Sequence, residues 1–259
     1  MPSTLTWILL ATAAGGILSA TLAGLFLLVP AQKRASALPH LISFATGALL
    51  GAALLELLPT AVRSAGLAHT HLVGMAVVGG IVAFFVLEKF VLWRHCHVED
   101  CDSHSPQQHD PRERASGVLI LVGDAIHNVL DGVLIAAAFL HSVPLGIATS
   151  IAVFAHEIPQ EVGDFAILLH SGMSRGRAFA LNLLTGLASV AGGLIAWFAL
   201  AQAADLLPYA LAVAAACFLY VAVADLIPGL HRRVEPLASV QQVALIAVGI
   251  LVIVLTDLH

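Results

Sequence analysis

Charged residues are scarce in this sequence. Lys, Arg, Asp and Glu together account for 10% of its 259 residues, whereas soluble domains average about 25%. Hydrophobic residues account for 59% and the mean hydropathy is +0.97, which is more apolar material than one soluble core can enclose. The scarcity of charge therefore excludes an ordinary soluble domain and makes the lipid bilayer the expected solvent.

A basic surplus and a cysteine framework are also missing. The formal net charge is −5, so nucleic acid is not an expected partner. The three cysteines, Cys96, Cys101 and Cys217, are odd in number and lack framework spacing, which excludes a disulfide scaffold. The first apolar run lacks a positively charged leader and is too long for a typical signal peptide, so we interpret it as a membrane span.

What the sequence does contain is a series of long apolar runs. A spanning helix needs about 20 such residues, and eight runs approach or exceed that length, with mostly short connections between them. They lie at Leu5–Val29, Leu38–Val62, Leu72–Trp93, Ser116–Leu140, Val143–His170, Ala178–Leu200, Leu206–Gly229 and Ala238–Leu255. We therefore predict an all-α polytopic membrane protein with eight transmembrane helices, forming one transmembrane domain over residues 1–259.

The lysines and arginines lie almost entirely on alternate connections. Arg63 alone falls on one side of the predicted topology, and the other ten of the eleven fall on the opposite side. These ten are Lys33, Arg34, Lys89, Arg94, Arg112, Arg114, Arg175, Arg177, Arg232 and Arg233. Because positive charge marks cytoplasmic connections, both termini are predicted outside the cytoplasm. The small size and minimal connections favour the inner membrane of a bacterium.

One polar segment breaks the apolar pattern. Residues 94–114, RHCHVEDCDSHSPQQHDPRER, show neither a helical nor a strand period, so we predict a flexible cytoplasmic loop. Its side chains could bind a soft metal, although zinc-finger spacing is absent; the alternative is a solvated loop with incidental histidines. The six side chains concerned are His95, Cys96, His97, Cys101, His104 and His109.

A weak internal repeat relates the two ends of the chain. ELLP at Glu56–Pro59 closes the second run, and DLIP at Asp225–Pro228 closes the seventh, at an offset of 169 residues. At the same offset, GIV from Gly80 matches GIL from Gly249. The second and seventh helices run in opposite directions in the predicted topology. The pattern favours an inverted repeat of helices 1–3 and 6–8 around a central pair, helices 4 and 5.

The two central runs each carry polar side chains on one helical face. The arc spans about 100° in the fourth run and roughly 140° in the fifth. Isolated polar residues can simply hold helices together, but acids inside a membrane are costly and normally face a bundle interior or a water-filled path. Nine polar side chains on two facing stripes are more than helix packing requires, so they favour a binding site. They are Asp124, His127, Asn128 and Asp131, and then His156, Glu157, Gln160, Glu161 and Asp164.

The types of these side chains indicate a divalent metal ion. His127 and Asp131 are four residues apart, as are His156 and Gln160, so one helical turn brings each pair together. Imidazole with carboxylate suits Zn²⁺, Fe²⁺, Mn²⁺ or Cd²⁺, and the number of carboxylates allows two neighbouring ions. Pro159 within the fifth run is expected to free the carbonyl of Ala155.

These motifs resemble those of the ZIP (Zrt/Irt-like) divalent metal transporters. HNVLDG followed by HEIPQEVGDFAILL looks most like the branch whose fifth helix reads HExPHExGD, and LLGAALLELLP, FFVLEK and CFLYVAVADLIP extend the resemblance over nearly the whole chain. The resemblance implies eight transmembrane helices, termini outside the cytoplasm, a His-rich loop between helices 3 and 4, and movement of cations toward the cytoplasm.

The resemblance also implies a binuclear site between helices 4 and 5. One ion would be bound by His127, Asp131, His156 and Gln160. The second would be bound by Asn128, Asp131, Glu157 and Gln160, with Glu161 close by. Gln160 and Glu56 stand where that branch usually has His, which affects metal preference more than transport.

Other positions have simpler interpretations. Asp225 and Tyr220 could line the pathway or stabilise packing, and packing is favoured; Glu88 is interpreted as a helix-end residue. The AGGIL and AGGLI segments are expected to permit close helix packing.

Two alternatives to a transporter remain at this stage. HEIPQ resembles the HExxH motif of zinc proteases, but Gln160 replaces the second His and Pro159 disturbs the helix that the motif requires. A metal sensor without transport is the other alternative. We predict a non-enzymatic carrier with Zn²⁺ as the favoured substrate, not as a cofactor. The oligomeric state is open, and a homodimer is compatible with the sequence.

Overall fold

The structure is a bundle of long helices. The computed structural model describes residues 3–96, 111–232 and 235–256, and all of their side chains except those of 90–96 and 111–119. No strand occurs in these ranges, so the all-α prediction is confirmed for them. The helices are α1 Thr4–Phe26, α2 Ala31–Ala65, α3 Thr70–Cys96, α4 Pro111–His141, α5 Val143–His170, α6 Arg175–Gln202, α7 Ala204–Leu230 and α8 Pro236–Thr256.

Seven of these helices, as far as they are described, are long and apolar enough to cross a membrane. The exception is α5, although its 28 residues correspond to about 42 Å, more than a bilayer core needs. It carries Glu157, Glu161 and Asp164 within eight residues. α5 is thus less apolar than the other seven helices, and it carries more residues of the predicted site than any other helix.

Several helices extend beyond their predicted ends. α3 continues to Cys96 and α4 begins at Pro111, so the loop prediction for 94–114 is wrong for 94–96 and 111–114. Hydropathy detects only the apolar membrane segment of a helix, whereas the helix itself continues as long as its backbone hydrogen bonds do. In α4, Pro111 is well suited to the first helical turn, where its missing N–H is not needed. Residues 97–110, with most of the predicted loop ligands, lie outside the described residues.

Small residues allow the helices to approach closely. α4 packs along α6, α2 along α8, and α3 along α7, while α5 contacts α1, α2, α4, α6 and α8. A Cβ added at Gly192 of α6 would collide with the Val129 carbonyl of α4, and one at Gly16 of α1 would collide with the Gly186 carbonyl of α6. The close packing expected of AGGIL and AGGLI is confirmed.

Two helices contain a wide π-helical turn at matching places. These turns are Ala52–Leu57 in α2 and Val221–Leu226 in α7, and they include the repeated acids Glu56 and Asp225. Such turns are frequent at functional sites. The local backbone of α2 and α7 therefore follows the internal repeat of the sequence.

The larger of two apolar clusters occupies the end of the bundle near the α4–α5 connection. Ile135, Leu145, Leu211 and Phe218 are among its members, and each is at most 4% exposed. The polar stripes lie one to several turns away from this end, earlier in α4 and later in α5. A smaller apolar cluster, with Phe165 and Leu168, follows the stripe of α5. The site therefore begins where the larger apolar cluster ends.

Candidate metal centre

The polar stripes of α4 and α5 face each other. His127 and His156 bring their Nε2 atoms to 3.3 Å. Asp131 Oδ2 lies 3.2 Å from Nε2 of His156 and 3.8 Å from Nε2 of His127, and Glu157 Oε1 lies 3.7 Å from the latter. These four side chains, two from each helix, form the first cluster.

The ring of His156 is oriented by the backbone of its own helix. Its Nδ1 lies 3.0 Å from the carbonyl oxygen of Ala152. A carbonyl only accepts, so Nδ1 carries the hydrogen and a neutral ring keeps its lone pair on Nε2. That lone pair faces Asp131 and His127. The ring edge also meets Phe218 of α7, with 6.2 Å between centroids, so both packing and hydrogen bonding hold it.

The first cluster has the dimensions of a small cation site. Ligands about 2.0–2.1 Å from a tetrahedral zinc ion are ~3.3 Å apart along each edge of the tetrahedron. The four nitrogen–nitrogen and nitrogen–oxygen separations in the cluster run from 3.2 to 3.8 Å. Two imidazoles and two carboxylates could therefore bind one such ion with small side-chain movements.

A second cluster lies beside the first and consists of oxygen ligands. Asp124, Glu157 and Glu161 each place a carboxylate oxygen within 4.8 Å of the others. Asn128 donates its Nδ2 hydrogen to Asp124 Oδ1 at 3.0 Å, and Asn182 of α6 donates to Glu161 Oε2 at 2.7 Å. Glu157 is common to both clusters.

A cavity of about 390 Å³ reaches the first cluster from one end of the bundle. His127, His156, Asp124 and Gln160 line it, together with parts of α2, α3 and α7. The metal-facing histidines are therefore accessible, although His156 is only 1% exposed. The cavity gives the polar stripes a route to one side of the molecule.

The structure brings the predicted residues together in two groups. His127, Asp131, His156 and Glu157 form the first cluster, and Glu157 with Glu161 belongs to the second. Asn128 contacts the second cluster through Asp124, and Gln160 lines the cavity. The resemblance implied Asp131 and Gln160 as the shared ligands, whereas among the acids and histidines of the two clusters it is Glu157 that is shared.

Three residues with simpler interpretations line the cavity: Asp225, Tyr220 and Glu88. A place on the cavity wall is compatible with both the pathway and the packing interpretation of Asp225 and Tyr220, so these interpretations stay predictions. Tyr220 donates a hydrogen bond to Glu88, which connects α7 to α3. The spacing within one helix cannot reveal this, because α3 and α7 are 132 residues apart at that bond. Pro159 is buried beside the cavity, and α5 continues through it.

Asn182 is the site neighbour that the sequence did not reveal. It is fully buried on α6 and bonds to Glu161. α6 otherwise resembles a packing helix with glycines and alanines. The available signal was Asn182 with Thr185 and Ser189, three and seven residues further on the same helical face, since polar residues inside an apolar run of a membrane helix require polar partners.

Comparison with known proteins agrees with the geometry. The family model of the ZIP zinc transporters matches residues 93–257, which include all of α4 and α5. Zinc transporter ZIP13 of Pongo abelii is 37% identical over 240 residues, covering 85% of this chain and 67% of the relative. Zinc transporter ZIP4 of Homo sapiens is 43% identical over 131 residues, 51% of this chain and 20% of the relative.

A third relative, zinc transporter SLC39A7 of Mus musculus, is 31% identical over 317 residues, covering 88% of this chain and 65% of the relative. The chain thus spans about two thirds of ZIP13 and SLC39A7 and a fifth of ZIP4. The family match covers well over half of the chain and both helices that carry the clusters, so the protein belongs to the ZIP zinc transporter family.

Proposed function

We propose that this protein transports divalent metal ions across a membrane, with zinc as the best-fitting substrate, toward the cytoplasm. The observation that carries the proposal is the first cluster. Two imidazole nitrogens 3.3 Å apart and two adjacent carboxylates supply the ligands that zinc prefers. They lie inside a helical bundle, at the inner end of a cavity, where a dehydrated ion needs replacement ligands.

His127, Asp131, His156 and Glu157 are the proposed ligands of the transported ion. Gln160, on the cavity wall, is the proposed adaptable ligand. Its amide oxygen is a harder and weaker ligand than imidazole, which favours release. The two histidines approach from different helices, so a relative movement of α4 and α5 would open the site.

The position of the cavity supports movement toward the cytoplasm. Its walls come from the second half of α3, α5 and α7 and the first half of α2 and α4. All of these ends lie close in sequence to lysine or arginine, such as Lys33 and Arg34 in the first turn of α2 or Arg175 and Arg177 in the first turn of α6. Under the positive-inside rule the cavity opens to the cytoplasm, both termini lie outside it, and the apolar core closes the opposite side.

Eight membrane spans follow if α5 is the spanning helix at the centre of the bundle. Seven helices meet the apolar criterion on their own. α5 contacts α1, α2, α4, α6 and α8, so its acids face protein or cavity rather than lipid. The odd number of crossings between α2 and α7 then makes these two helices antiparallel.

Helix contacts support an inverted repeat. The π-helical turns of α2 and α7 start at Ala52 and Val221, again 169 residues apart. Gly249 of α8 meets the Phe44 carbonyl of α2, and the equivalent Gly80 of α3 meets Val213 of α7. Val213 is 169 residues after Phe44. This matching pair of interhelical contacts supports the proposed repeat beyond the short sequence matches.

Three further predictions have no structural test. These are the bacterial inner membrane, a homodimer, and one domain over residues 1–259. Short connections in the described ranges support the first, although the three relatives named above are eukaryotic. The HExPHExGD branch and the loop ligands of 94–114 are likewise predictions.

Zinc uptake into proteoliposomes tests the proposed function. Purified protein should accumulate Zn²⁺, with Fe²⁺, Mn²⁺ and Cd²⁺ as graded competitors. His156→Ala should abolish uptake, while Glu235→Gln, at an exposed position before α8, should not. Metal binding without flux would favour the sensor, and metal-dependent peptide cleavage would favour the protease.

A further inference from the structure

We propose that a pocket between α1, α5 and α6 binds an anionic phospholipid, whose phosphate would lie between Arg34 of α2 and Arg175 of α6. The pocket has a volume of about 420 Å³ and lies at the end of the bundle where α2 and α6 begin. None of its lining residues belongs to the two metal clusters. The site therefore goes beyond the proposed function, and lipid binding there does not require transport.

Most of the pocket wall is apolar and continues onto the surface of the bundle. Phe165 of α5 and Phe179 of α6 line it and stack with 6.2 Å between their ring centroids. α1 and the turn that follows it contribute Leu25 and Leu28, which are 56% and 72% exposed. Exposed leucines on a membrane helix face lipid, so an acyl chain can enter the pocket directly from the bilayer.

The polar part of the pocket is positively charged and lacks a counterion. Arg34 and Arg175 both line it, and no acidic residue does. Within the described ranges neither arginine forms an ion pair, and Nε of Arg34 is buried without a hydrogen-bond partner. A buried N–H group without an acceptor is costly. Phosphate oxygens are acceptors that a guanidinium group binds strongly, often through two parallel hydrogen bonds.

The starts of α2 and α6 add to this positive potential. Both first turns contain basic residues and no acidic one, although the N-terminal end of a helix disfavours cations and favours anions. Gly176, in the first turn of α6, also lines the pocket, and a Cβ there would meet nothing within 4 Å. A phosphate group could therefore approach the unbonded backbone N–H groups of that turn as well as the two arginines.

The combination of charge and apolar wall favours a phospholipid over a soluble anion. The starts of α2 and α6 carry lysine and arginine, which places this end of the bundle on the cytoplasmic side by the positive-inside rule. The cytoplasmic leaflet contains anionic lipids, and basic pockets between membrane helices on that side bind their headgroups. A free phosphate ion would satisfy the arginines but would leave the apolar wall uncovered.

The test is lipid binding by the purified full-length protein in a neutral detergent, followed by native mass spectrometry. The probes are dioleoyl-phosphatidylglycerol, which is anionic, and dioleoyl-phosphatidylcholine, which has the same chains and no net charge. Phosphatidylglycerol should bind about tenfold more tightly or better, because the pocket contains two arginines. Arg34→Gln should weaken its binding about fivefold, the factor that one arginine contributes beside an anionic lipid. Lys33→Gln, at an exposed neighbouring position outside the pocket, should change it less than about twofold.

Gly176→Leu provides a second variant, since it fills the pocket and leaves both arginines in place. It should weaken phosphatidylglycerol binding, whereas Gly74→Leu on α3, where a Cβ also meets nothing within 4 Å, should not. Inorganic phosphate should not displace the lipid. Equal binding of the two lipids, equal losses in Arg34→Gln and Lys33→Gln, or unchanged binding in Gly176→Leu would each overturn the site. Displacement of the lipid by inorganic phosphate would make a free anion the ligand and would overturn the proposal as well.

Discussion

Individual side chains divide the candidate metal centre into a region with nitrogen and oxygen ligands and a region with oxygen ligands only. The histidines come from the middle of α4 and α5, and each has a carboxylate next to it in space: Asp131 for His156 and Glu157 for His127. One turn away, the helices present only oxygen ligands. Selectivity should therefore respond to single substitutions that exchange nitrogen for oxygen, or that remove one charge.

Asp131→Asn should reduce zinc uptake more than tenfold. The substitution keeps the size of the side chain but removes the negative charge 3.2 Å from Nε2 of His156. A loss of about 1.4 kcal/mol in ion binding already corresponds to a factor of ten, and a buried charged ligand contributes more than that. The measurement is initial Zn²⁺ uptake into proteoliposomes at matched protein level.

Asp205→Asn is the control for that experiment. Asp205 is exposed in the short turn at the start of α7, so the same chemical change there should leave uptake within a factor of two. Uptake near the wild-type rate in Asp131→Asn would show that Asp131 is not a ligand of the transported ion.

Gln160→His should tighten Zn²⁺ binding and shift preference from Mn²⁺ to Zn²⁺. Gln160 shares the cavity wall with His127 and His156, and imidazole is a softer and stronger zinc ligand than an amide. Slower release should also lower the maximal flux. Competitive uptake of both ions tests this, and unchanged selectivity with unchanged affinity would mean that the side chain does not contact the metal.

At the scale of elements, the helix register decides which groups can meet. α6 lies against α4 at a distance that only glycine permits at Gly132 and Gly192. The same helix α6 also donates a hydrogen bond from Asn182 to Glu161 of α5. α6 therefore contacts both helices that carry the two clusters.

Gly192→Ala should destabilise the bundle. The new Cβ would overlap the Val129 carbonyl, which is backbone and cannot rotate away. Overpacking of this kind costs about 1–3 kcal/mol. Gly74→Ala is the matched control, because a Cβ there meets nothing within 4 Å. Thermal unfolding in detergent should show a lower midpoint for Gly192→Ala than for Gly74→Ala; equal midpoints would contradict the close α4–α6 contact.

At the scale of the whole molecule, the cavity lies on one side of the polar stripes and the larger apolar cluster lies on the other. If the proposed inverted repeat is real, a carrier built from it could exchange which side is open. The side of the membrane on which each end lies is a measurable property.

His141→Cys should react with a membrane-impermeant thiol reagent added to intact cells. His141 is exposed at the end of α4, whereas its neighbour Ser142 caps α5 through Leu145 and is half-buried. The charge pattern puts this connection outside the cytoplasm. Native Cys96, on the opposite side by the same rule, should react only after the cells are opened.

A variant without Cys96 and Cys101 provides the background for this experiment, because Cys217 is buried. Modification of Cys96 from outside, with protection of a cysteine at position 141, would reverse the orientation and with it the direction of the cavity.

Much of the site could be predicted from local spacing. His127 and Asp131 are one turn apart on α4, and His156 and Glu157 belong to a polar stripe whose position follows from the helical period. The pairing of Asn182 with Glu161 could not be predicted, since 21 residues and a change of helix separate them. The same reason explains why the shared cavity of Glu88, Tyr220 and Asp225 could not be predicted, since it depends on how α3 and α7 pack.

The sequence by itself determined the helical membrane architecture, the two polar faces and the types of ligand, because composition and a period of 3.6 residues act locally along the chain. The tertiary structure alone decided which candidate ligands lie together. It placed Glu157 in both clusters, brought Asn182 of α6 to the oxygen cluster, and opened the cavity beside the histidines. These outcomes depend on the distances and rotations between packed helices. Contacts between side chains that are distant in sequence set those distances and rotations.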